Sequence, residues 1–230
     1  MFKKKNLEKV KIRQATIDDI NGILFVEKEA WGEKAATKEQ FESRLKTFPQ
    51  GVLVAIKDYD KIVGVVAVEK VNYSDIINNS SLNWYEVTDN GFIKNSHKPN
   101  GDSIYGVDLS VLPSAPCKTG TRLLENIAKL CIARNLKYGV LGGRIPDYHK
   151  FADKMSVDEY VKATVKTKNG IKPLDPEINF YKKADLKIVK IMPDYFNDSE
   201  SLNYGVLLVW ENPFYNKWYR WLGARIFKIG

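Results

Sequence analysis

The sequence has little cysteine, little histidine and no long apolar run. Only two cysteines and two histidines occur among the 230 residues. Two cysteines provide no framework of disulfides, so a disulfide-stabilised secreted scaffold is excluded and a reducing compartment is expected. No stretch of about 18 apolar residues is present, which excludes a membrane-spanning helix. The first residues also lack the apolar centre of a secretory signal. The sequence therefore predicts a cytoplasmic protein.

The two histidines, His97 and His149, are isolated from each other and from the cysteines. Metal sites built on His and Cys require ligands at short, characteristic spacings. No metal cofactor is therefore expected.

The positive charge is concentrated at the two ends of the chain. The formal net charge is +8. Residues 1–12 contribute +4 and residues 211–230 contribute +3, so the middle is nearly neutral. A nucleic-acid-binding domain carries its basic residues on one folded face. Nucleic acid is therefore not an expected partner.

Residues 104–125 combine the pattern of a strand with that of a helix. Apolar residues alternate from Tyr105 to Val111, which is the period of a strand. Two prolines then interrupt the strand, and from Thr119 and Gly120 onwards the apolar residues follow helical spacing. The N-terminus of such a helix has unpaired N–H groups and a partial positive charge, which suit a phosphate.

The remaining pattern predicts a single α+β domain over residues 1–212. Capping boxes at Thr16, Thr37 and Ser156 indicate helix starts. Two insertions, about 76–102 and 143–173, interrupt the domain, and residues 213–230 form a basic, aromatic tail with helical spacing. The other predicted elements are strands at Val10–Arg13, Val52–Ile56, Ile62–Val68, Tyr138–Gly142, Leu186–Ile191 and Tyr204–Trp210, and a short helix at Pro176–Lys183.

This order of elements resembles the GNAT (GCN5-related N-acetyltransferase) fold. The phrase VDLSVLPSAPCKTGTRLLE is similar to the acetyl-CoA motif of that superfamily, a strand ending in V-x-P followed by R/Q-x-x-G-x-G/A and a helix. Gly120 takes the position of the second glycine, whereas Lys118 replaces the first and Ala115 replaces the Arg or Gln. The resemblance implies a mixed, mostly antiparallel sheet of six to seven strands, flanked by helices.

A narrower resemblance covers residues 83–213. The phrases NWYEVTDNG, LGGRIPDY and DPEINFYKKADLKIVKIMPDY are similar to the GNAT domains fused to bacterial nitrilase-type amidohydrolases. Nothing in this chain could supply the hydrolase part. The activity implied is acetyl transfer from acetyl-CoA to a small-molecule or peptide amine in a ternary complex. The alternative is a degenerate GNAT domain that binds a ligand or partner without turnover.

The resemblance also implies which residues bind acetyl-CoA. Main-chain N–H groups of the central strand face the thioester in GNAT proteins, and those of the following turn face the pyrophosphate. Because main-chain groups do this work, the missing glycine weakens the expectation without removing it. The lysine in its place could add positive charge. The residues implied are Leu109, Val111, Lys118, Thr119, Gly120 and Thr121.

Two residues are predicted to be catalytic. Tyr181 matches the tyrosine that is often the general acid in GNAT enzymes, although Asp185 replaces the glycine that follows it in the family pattern. Asp108 lies where these enzymes often keep an acidic residue, and could accept the amine proton. The alternatives are that Tyr181 is a packing residue and that Asp108 is a satisfied buried acid bonded to residues of the insertions.

Arg144 and Tyr148 follow the predicted strand Tyr138–Gly142, near the expected acceptor pocket. Arg144 could bind a carboxylate or phosphate of the acceptor, or could anchor the second insertion. The tail leaves three alternatives open. It could dock on the sheet, form a homodimer contact or bind an anionic membrane surface.

Overall fold

The computed structural model describes residues 10–58, 60–168 and 170–229. The basic residues Lys3, Lys4, Lys5 and Lys9 of the sequence analysis lie outside these ranges. The helices are α1 Ile20–Trp31, α2 Lys38–Thr47, α3 Tyr73–Ile77, α4 Trp84–Val87, α5 Thr119–Ala133, α6 Val157–Tyr160, α7 Pro176–Lys183 and α8 Arg220–Ile226. The strands are β1 Lys11–Gln14, β2 Val52–Lys57, β3 Lys61–Val71, β4 Ser103–Val111, β5 Tyr138–Arg144, β6 Thr164–Thr167, β7 Gly170–Pro173, β8 Lys187–Met192 and β9 Gly205–Glu211.

The main sheet has seven strands in the order β1-β2-β3-β4-β5-β9-β8. Only β4 and β5 run parallel, and every other neighbouring pair is antiparallel. The predicted mixed, mostly antiparallel sheet flanked by helices is therefore confirmed. The separate hairpin of β6 and β7 in the second insertion was not predicted. The predicted start of that insertion, residue 143, lies inside β5.

The capping boxes read from the sequence are present. The Asp19 carboxylate accepts a hydrogen bond from the Thr16 N–H at 2.7 Å, at the turn that leads into α1. At the start of α2, the Thr37 hydroxyl accepts from the Gln40 N–H at 3.3 Å. Each box satisfies N–H groups that a helix end otherwise leaves unpaired, so these sequence signals fixed where the helices begin.

The parallel pair β4 and β5 separates halfway along its length. Pairing runs from Ser103 with Tyr138 to Gly106 with Leu141 and then stops. At the same point the β3–β4 register shifts by one residue, which makes Val107 the extra residue of a β-bulge. A bulge bends its strand and increases the twist. The end of β4 therefore diverges from the end of β5 and opens a groove in the middle of the sheet.

Helices cover both faces of the sheet at this groove. Successive side chains of a strand point to opposite faces. Asp108 and Ser110 of β4 contact residues of α2 and α1, whereas Val111 lies beside Gly120 of α5. The groove is therefore bordered by α1 and α2 on one face and by α5 on the other. The first insertion packs on the face of α2, where the Ser43 hydroxyl donates to the Phe92 carbonyl at 2.8 Å.

The tail is attached to the domain just after α5 and at β9. Asn216 and Asn135 exchange two hydrogen bonds of 2.8 and 2.9 Å, and Phe214 packs against the main core. Phe227 completes the contact against Trp210, with ring centroids 5.4 Å apart. The boundary between domain and tail at residue 212 stays a prediction.

Candidate active site

A cavity of about 850 Å³ lies where β4 and β5 diverge, and its lining comes from both faces of the sheet. On one face it is lined by Gly120 and Leu124 of α5 and by Phe180 of α7. On the other face it is lined by acidic and aromatic residues of α1, α2 and the first insertion. The cavity thus joins two chemically different surfaces through the opened sheet. The second surface includes Glu27, Trp31, Arg44, Trp84 and Asp108.

The first turn of α5 reaches this cavity through Gly120 and has two free N–H groups. Thr119 and Arg122 donate their N–H groups to carbonyls of the preceding turn at 3.2 and 2.9 Å. The N–H groups of Gly120 and Thr121 donate to no described residue. A Cβ at Gly120 would stand 3.3 Å from the Phe180 ring, so glycine keeps this corner open. Two backbone donors at a helix N-terminus suit an anionic group.

Lys118 precedes α5 with a left-handed backbone, at φ +69° and ψ 13°. This conformation is unfavourable for residues other than glycine, by about 1–2 kcal/mol. The backbone therefore keeps the geometry of a glycine although the side chain is lysine. Its side chain is exposed and does not line the cavity, so Lys118 does not block the corner beside Gly120.

Two main-chain N–H groups of β4 point towards the groove. Within a strand, the N–H and C=O of alternate residues face alternate sides. The Leu112 N–H donates to β3 at 3.0 Å, so those of Leu109 and Val111 face the side from which β5 has separated. The Val107 carbonyl faces the same side as these two N–H groups, and it accepts a hydrogen bond from Trp84 Nε1 at 3.0 Å.

Asp108 is held by an ion pair with Arg44. Arg44 Nη1 lies 2.9 Å from Asp108 Oδ2, and the two side chains are 0% and 6% exposed. The Ser110 hydroxyl donates to the other Asp108 oxygen at 3.2 Å and itself accepts from Trp31 Nε1 at 2.7 Å. Asp108 is thus satisfied as a buried acid, but its partners belong to α2 and β4 and not, as the alternative prediction for Asp108 expected, to the insertions.

Glu27 is a candidate that the sequence analysis did not single out. It lies on α1, is 1% exposed and lines the cavity. One carboxylate oxygen accepts from the Ala36 N–H at 3.1 Å, whereas the other is buried and has no hydrogen-bond partner among the described residues. Burial, followed by the negative charge of Asp108, raises the pKa of Glu27 to about 8. One signal for Glu27 was present in the sequence. It follows Ile20 and Ile23 at helical spacing, which places a carboxylate on the apolar face of the helix.

Arg144 lies at the end of β5 among three carboxylates. Its guanidinium is 3.2 Å from Asp198, 3.3 Å from Glu177 and 3.8 Å from Glu200, and it stacks on the Trp31 ring at 4.9 Å. It lines the cavity and anchors α7 and the segment before β9, whereas no ion pair to the second insertion occurs among the described residues; binding of an acceptor by Arg144 stays a prediction. Burial raises the pKa of Glu177 to about 7, against the opposing charge of Arg144.

Tyr148 does not line the cavity. Its side chain is buried, with the rings of Tyr160 and Tyr204 at centroid distances of 5.2 and 5.7 Å. Tyr148 was predicted to lie near the acceptor because it closely follows β5 in the chain. The chain turns away after Arg144, and the ring enters a separate apolar cluster. We therefore assign Tyr148 to packing.

Tyr181 of α7 lines the cavity beside β5. Its ring would be 3.0 Å from a Cβ at Gly143, so glycine at this position allows the ring to approach the strand. The hydroxyl makes no hydrogen bond to any described residue. Burial raises the pKa of Tyr181 well above its usual range, which keeps the hydroxyl protonated and able to donate.

The described ranges contain neither a metal-binding cluster nor a membrane-spanning helix. Within them, His, Cys, Asp and Glu side chains form no cluster of three or more that could hold a metal ion. No helix of these ranges combines the length and apolar character needed to cross a membrane.

The chain is similar in sequence to two curated proteins of Bacillus subtilis (strain 168). It is 32% identical over 219 residues to "Uncharacterized N-acetyltransferase YkwB", with 93% of each chain covered. It is also 32% identical over 208 residues to "Probable hydrolase YhcX", of which the chain spans only 39%. The nitrilase type of the hydrolase partner stays part of the predicted resemblance. No protein-family model matches the chain.

The fold is similar to that of the solved "GphF GNAT-like decarboxylase in complex with isobutyryl-CoA". The TM-score is 0.72 at 21% identity, with 88% of this chain and 99% of that chain covered. At this identity the likeness concerns the fold alone.

Proposed function

We propose, from the premise that this chain belongs to the GNAT superfamily of N-acetyltransferases, that it transfers an acetyl group from acetyl-CoA to an amine held in the same complex. One observation carries the proposal. The sheet opens between β4 and β5 into a cavity with free N–H groups on one face and a buried carboxylate on the other. Acetyl transfer needs both, because an anion must be bound and a proton removed.

The residues present fit coenzyme A on the face of α5. The free N–H groups of Gly120 and Thr121 suit the pyrophosphate, and the exposed ammonium of Lys118 adds positive charge. The groove-facing N–H groups of Leu109 and Val111 suit the pantetheine arm and the thioester oxygen. A structural neighbour binds isobutyryl-CoA according to its name, which supports an acyl-CoA donor. Acetyl-CoA supplies the acetyl group as an activated thioester.

The acceptor, a small-molecule or peptide amine, enters from the face of α1. Glu27 takes the ammonium proton onto its unpartnered carboxylate oxygen and leaves a neutral amine that can attack. The negative charge of Asp108 raises the pKa of Glu27, so Asp108 acts through Glu27 as a positioning residue. The N–H of Leu109 stabilises the negative charge that develops on the carbonyl oxygen. Attack forms the C–N bond to the carbonyl carbon, and the C–S bond then breaks as Tyr181 donates its hydroxyl proton to the departing sulfur. The extra proton on the attacking nitrogen passes to the Tyr181 oxygen and restores the hydroxyl, and Glu27 releases its proton to water.

Tyr181→Phe is expected to lower kcat about 100-fold, in the range that loss of a general acid produces. The affinity for acetyl-CoA should stay nearly unchanged, because the ring and its packing are kept. Turnover and binding are measured separately, by thiol release and by calorimetry. Phe180→Leu, one residue earlier on α7, serves as the control for disturbed packing. Equal turnover in Tyr181→Phe and the parent would assign the tyrosine to packing.

Lys118→Ala is expected to weaken binding of acetyl-CoA about tenfold, the loss of one charge-assisted contact to phosphate. Lys118→Arg should retain the affinity. Lys118→Gly should bind as weakly as the alanine variant, yet be about 1 kcal/mol more stable than it, because the left-handed backbone is no longer strained. Calorimetry and thermal unfolding of the three variants test this. Full affinity in the alanine variant would contradict a role for the charge.

The proposal as a whole is tested by titrating the full chain with acetyl-CoA and then measuring release of free thiol with a panel of amines. Binding together with amine-dependent release is the expected result. No binding at about millimolar ligand, equivalent to less than about 4 kcal/mol, would contradict acetyl-CoA as the donor.

A second candidate is a GNAT domain that binds a ligand or partner without turnover. The specific observation in its favour is the altered motif, in which Lys118 and Ala115 replace the glycine and the Arg or Gln of the family pattern. This candidate predicts that acetyl-CoA binds but that no amine releases the thiol.

A further inference from the structure

The C-terminal tail has one face fixed to the domain and one face exposed. Phe214, Ala224 and Phe227 pack against the main core, and a Cβ at Gly223 would be only 2.5 Å from the Phe214 ring. The close approach at Gly223 lets α8 lie flat on Phe214. The opposite face of the tail therefore has a defined position on the molecular surface.

That opposite face, called here the tail face, is strongly apolar and aromatic. Trp218 is 81% exposed, Trp221 is 55% exposed and Ile226 is 60% exposed, with Leu222 at 43%. Single exposed apolar residues are ordinary, but a contiguous group on one short segment marks an interaction surface. Tryptophan is moreover the residue that prefers the boundary between water and lipid headgroups.

The segment that carries the tail face is also cationic. Lys217, Arg220, Arg225 and Lys228 belong to the same segment, and none of them forms an ion pair in the part of the chain that the structure describes. The Arg225 guanidinium lies over the Trp221 ring at 5.6 Å. Positive charge is thus placed beside exposed tryptophans with no acidic side chain to neutralise it, and this combination is complementary to anionic lipid.

We propose that the tail face binds the surface of an anionic membrane, with Trp218 and Trp221 at the level of the headgroups and the four cations on lipid phosphates. The proposal does not depend on acetyl transfer. No spanning segment is required, because the tail lies in the plane of the interface. Binding by one short segment is expected to be reversible and sensitive to salt.

A second copy of the chain fits this surface less well. In a two-fold dimer the same patch meets itself, so the cations of one copy would face those of the other. The helix α8 has seven residues and is about 10 Å long. A stable interface needs about 800 Å² from each partner, far more than such a segment offers.

Flotation of the full chain with lipid vesicles tests the proposal. Vesicles of phosphatidylcholine containing about 30% phosphatidylglycerol carry the negative surface charge, and vesicles of pure phosphatidylcholine serve as the neutral comparison. We expect the protein to float with the anionic vesicles only, and to be released at about 0.5 M salt.

Variants identify the surface. Trp218→Ser with Trp221→Ser is expected to lower the bound fraction at least about fivefold, whereas Phe25→Ser, which removes an aromatic ring of the same 55% exposure on α1, should leave it unchanged. Arg220→Gln with Arg225→Gln should also weaken binding. The control for charge is Lys154→Gln with Lys162→Gln, two exposed lysines of the second insertion. Thermal unfolding verifies that each variant is folded.

Three outcomes would overturn the proposal. The first is no flotation with anionic vesicles at low salt. The second is flotation that the tryptophan variant leaves unchanged. The third is a dimer in light scattering that the tryptophan variant abolishes while vesicles bind neither form, which would assign the tail face to a second copy of the chain.

Discussion

Replacing Glu27 by Gln is expected to lower kcat about 100- to 1000-fold, the loss typical of a removed general base. The substitution keeps the size of the side chain and the hydrogen bond from the Ala36 N–H. It removes the negative charge and the ability to accept a proton. Steady-state turnover with the best amine of the panel measures the effect, and calorimetry should show unchanged affinity for acetyl-CoA.

The pH profile distinguishes a base from a merely structural carboxylate. Glu27 accepts a proton only when it is ionised, and its pKa is raised to about 8. The parent should therefore gain activity as the pH rises towards about 8, and Glu27→Gln should lose that part of the profile. Because the folded pKa lies above the unfolded value of 4.5, the protonated carboxyl stabilises the folded state at low pH, and this contribution is lost as the pH rises from 4.5 to about 8. Glu27→Gln should accordingly be at least as stable as the parent above pH 8.

Glu29→Gln is the matched control, because Glu29 belongs to the same helix but is exposed. It should leave kcat and the pH profile unchanged. If Glu27→Gln kept turnover within about twofold of the parent, with the same dependence on pH, the proton acceptor would have to be another group.

The architecture could be predicted from the sequence because its signals are local. Alternation, capping boxes and prolines each act within a few residues, and they placed the strands of the sheet and the starts of α1 and α2. The hairpin of β6 and β7 was missed because four-residue strands of mixed polarity carry too short a pattern. Its exposed residues contribute no apolar period.

Two glycines that the family pattern expects are replaced in this chain, yet the backbone keeps their conformation. Lys118 has φ +69° and Asp185 has φ +62°. The surrounding elements hold these residues in the left-handed region, α5 in the first case and the end of α7 in the second. A family pattern shows which residue adopts a conformation at the lowest energy, whereas tertiary contacts decide which conformation is adopted. The turns therefore form here even though both glycines are replaced.

The site was less predictable than the fold because its residues meet only in three dimensions. Arg44 contacts Asp108 across 64 positions of the chain, and no local pattern announces such a pair. Glu27 was not predicted as a site residue because a carboxylate in a helix is normally exposed. Tyr148 was misplaced because proximity in sequence to a strand end does not fix the direction of the following turn. Burial and partners decide these roles, and both are properties of the folded chain.

Replacing Arg44 by Met is expected to destabilise the protein by about 3–5 kcal/mol, the cost of leaving one member of a buried ion pair without its partner. Arg44 is fully buried. Its guanidinium donates to Asp108 at 2.9 Å and to the Gly91 carbonyl at 2.7 Å, and stacks on Phe41 at 4.5 Å. Methionine retains much of the packing but none of the charge, so Asp108 would remain as an uncompensated buried carboxylate. Urea unfolding measures the change.

Two further variants isolate the ion pair. Arg44→Met combined with Asp108→Asn should be less destabilised than the sum of the single changes, because no buried charge is left unpaired. Arg13→Met is the control, since its partner Asp19 forms a more exposed pair that contributes about 0–1 kcal/mol. The positive charge of Arg44 also lowers the pKa of Glu27, so its loss should shift the rise of activity to higher pH. If Arg44→Met lost less than about 1 kcal/mol of stability and kept the pH profile of activity, the ion pair would contribute neither to the stability of the fold nor to the pKa of Glu27.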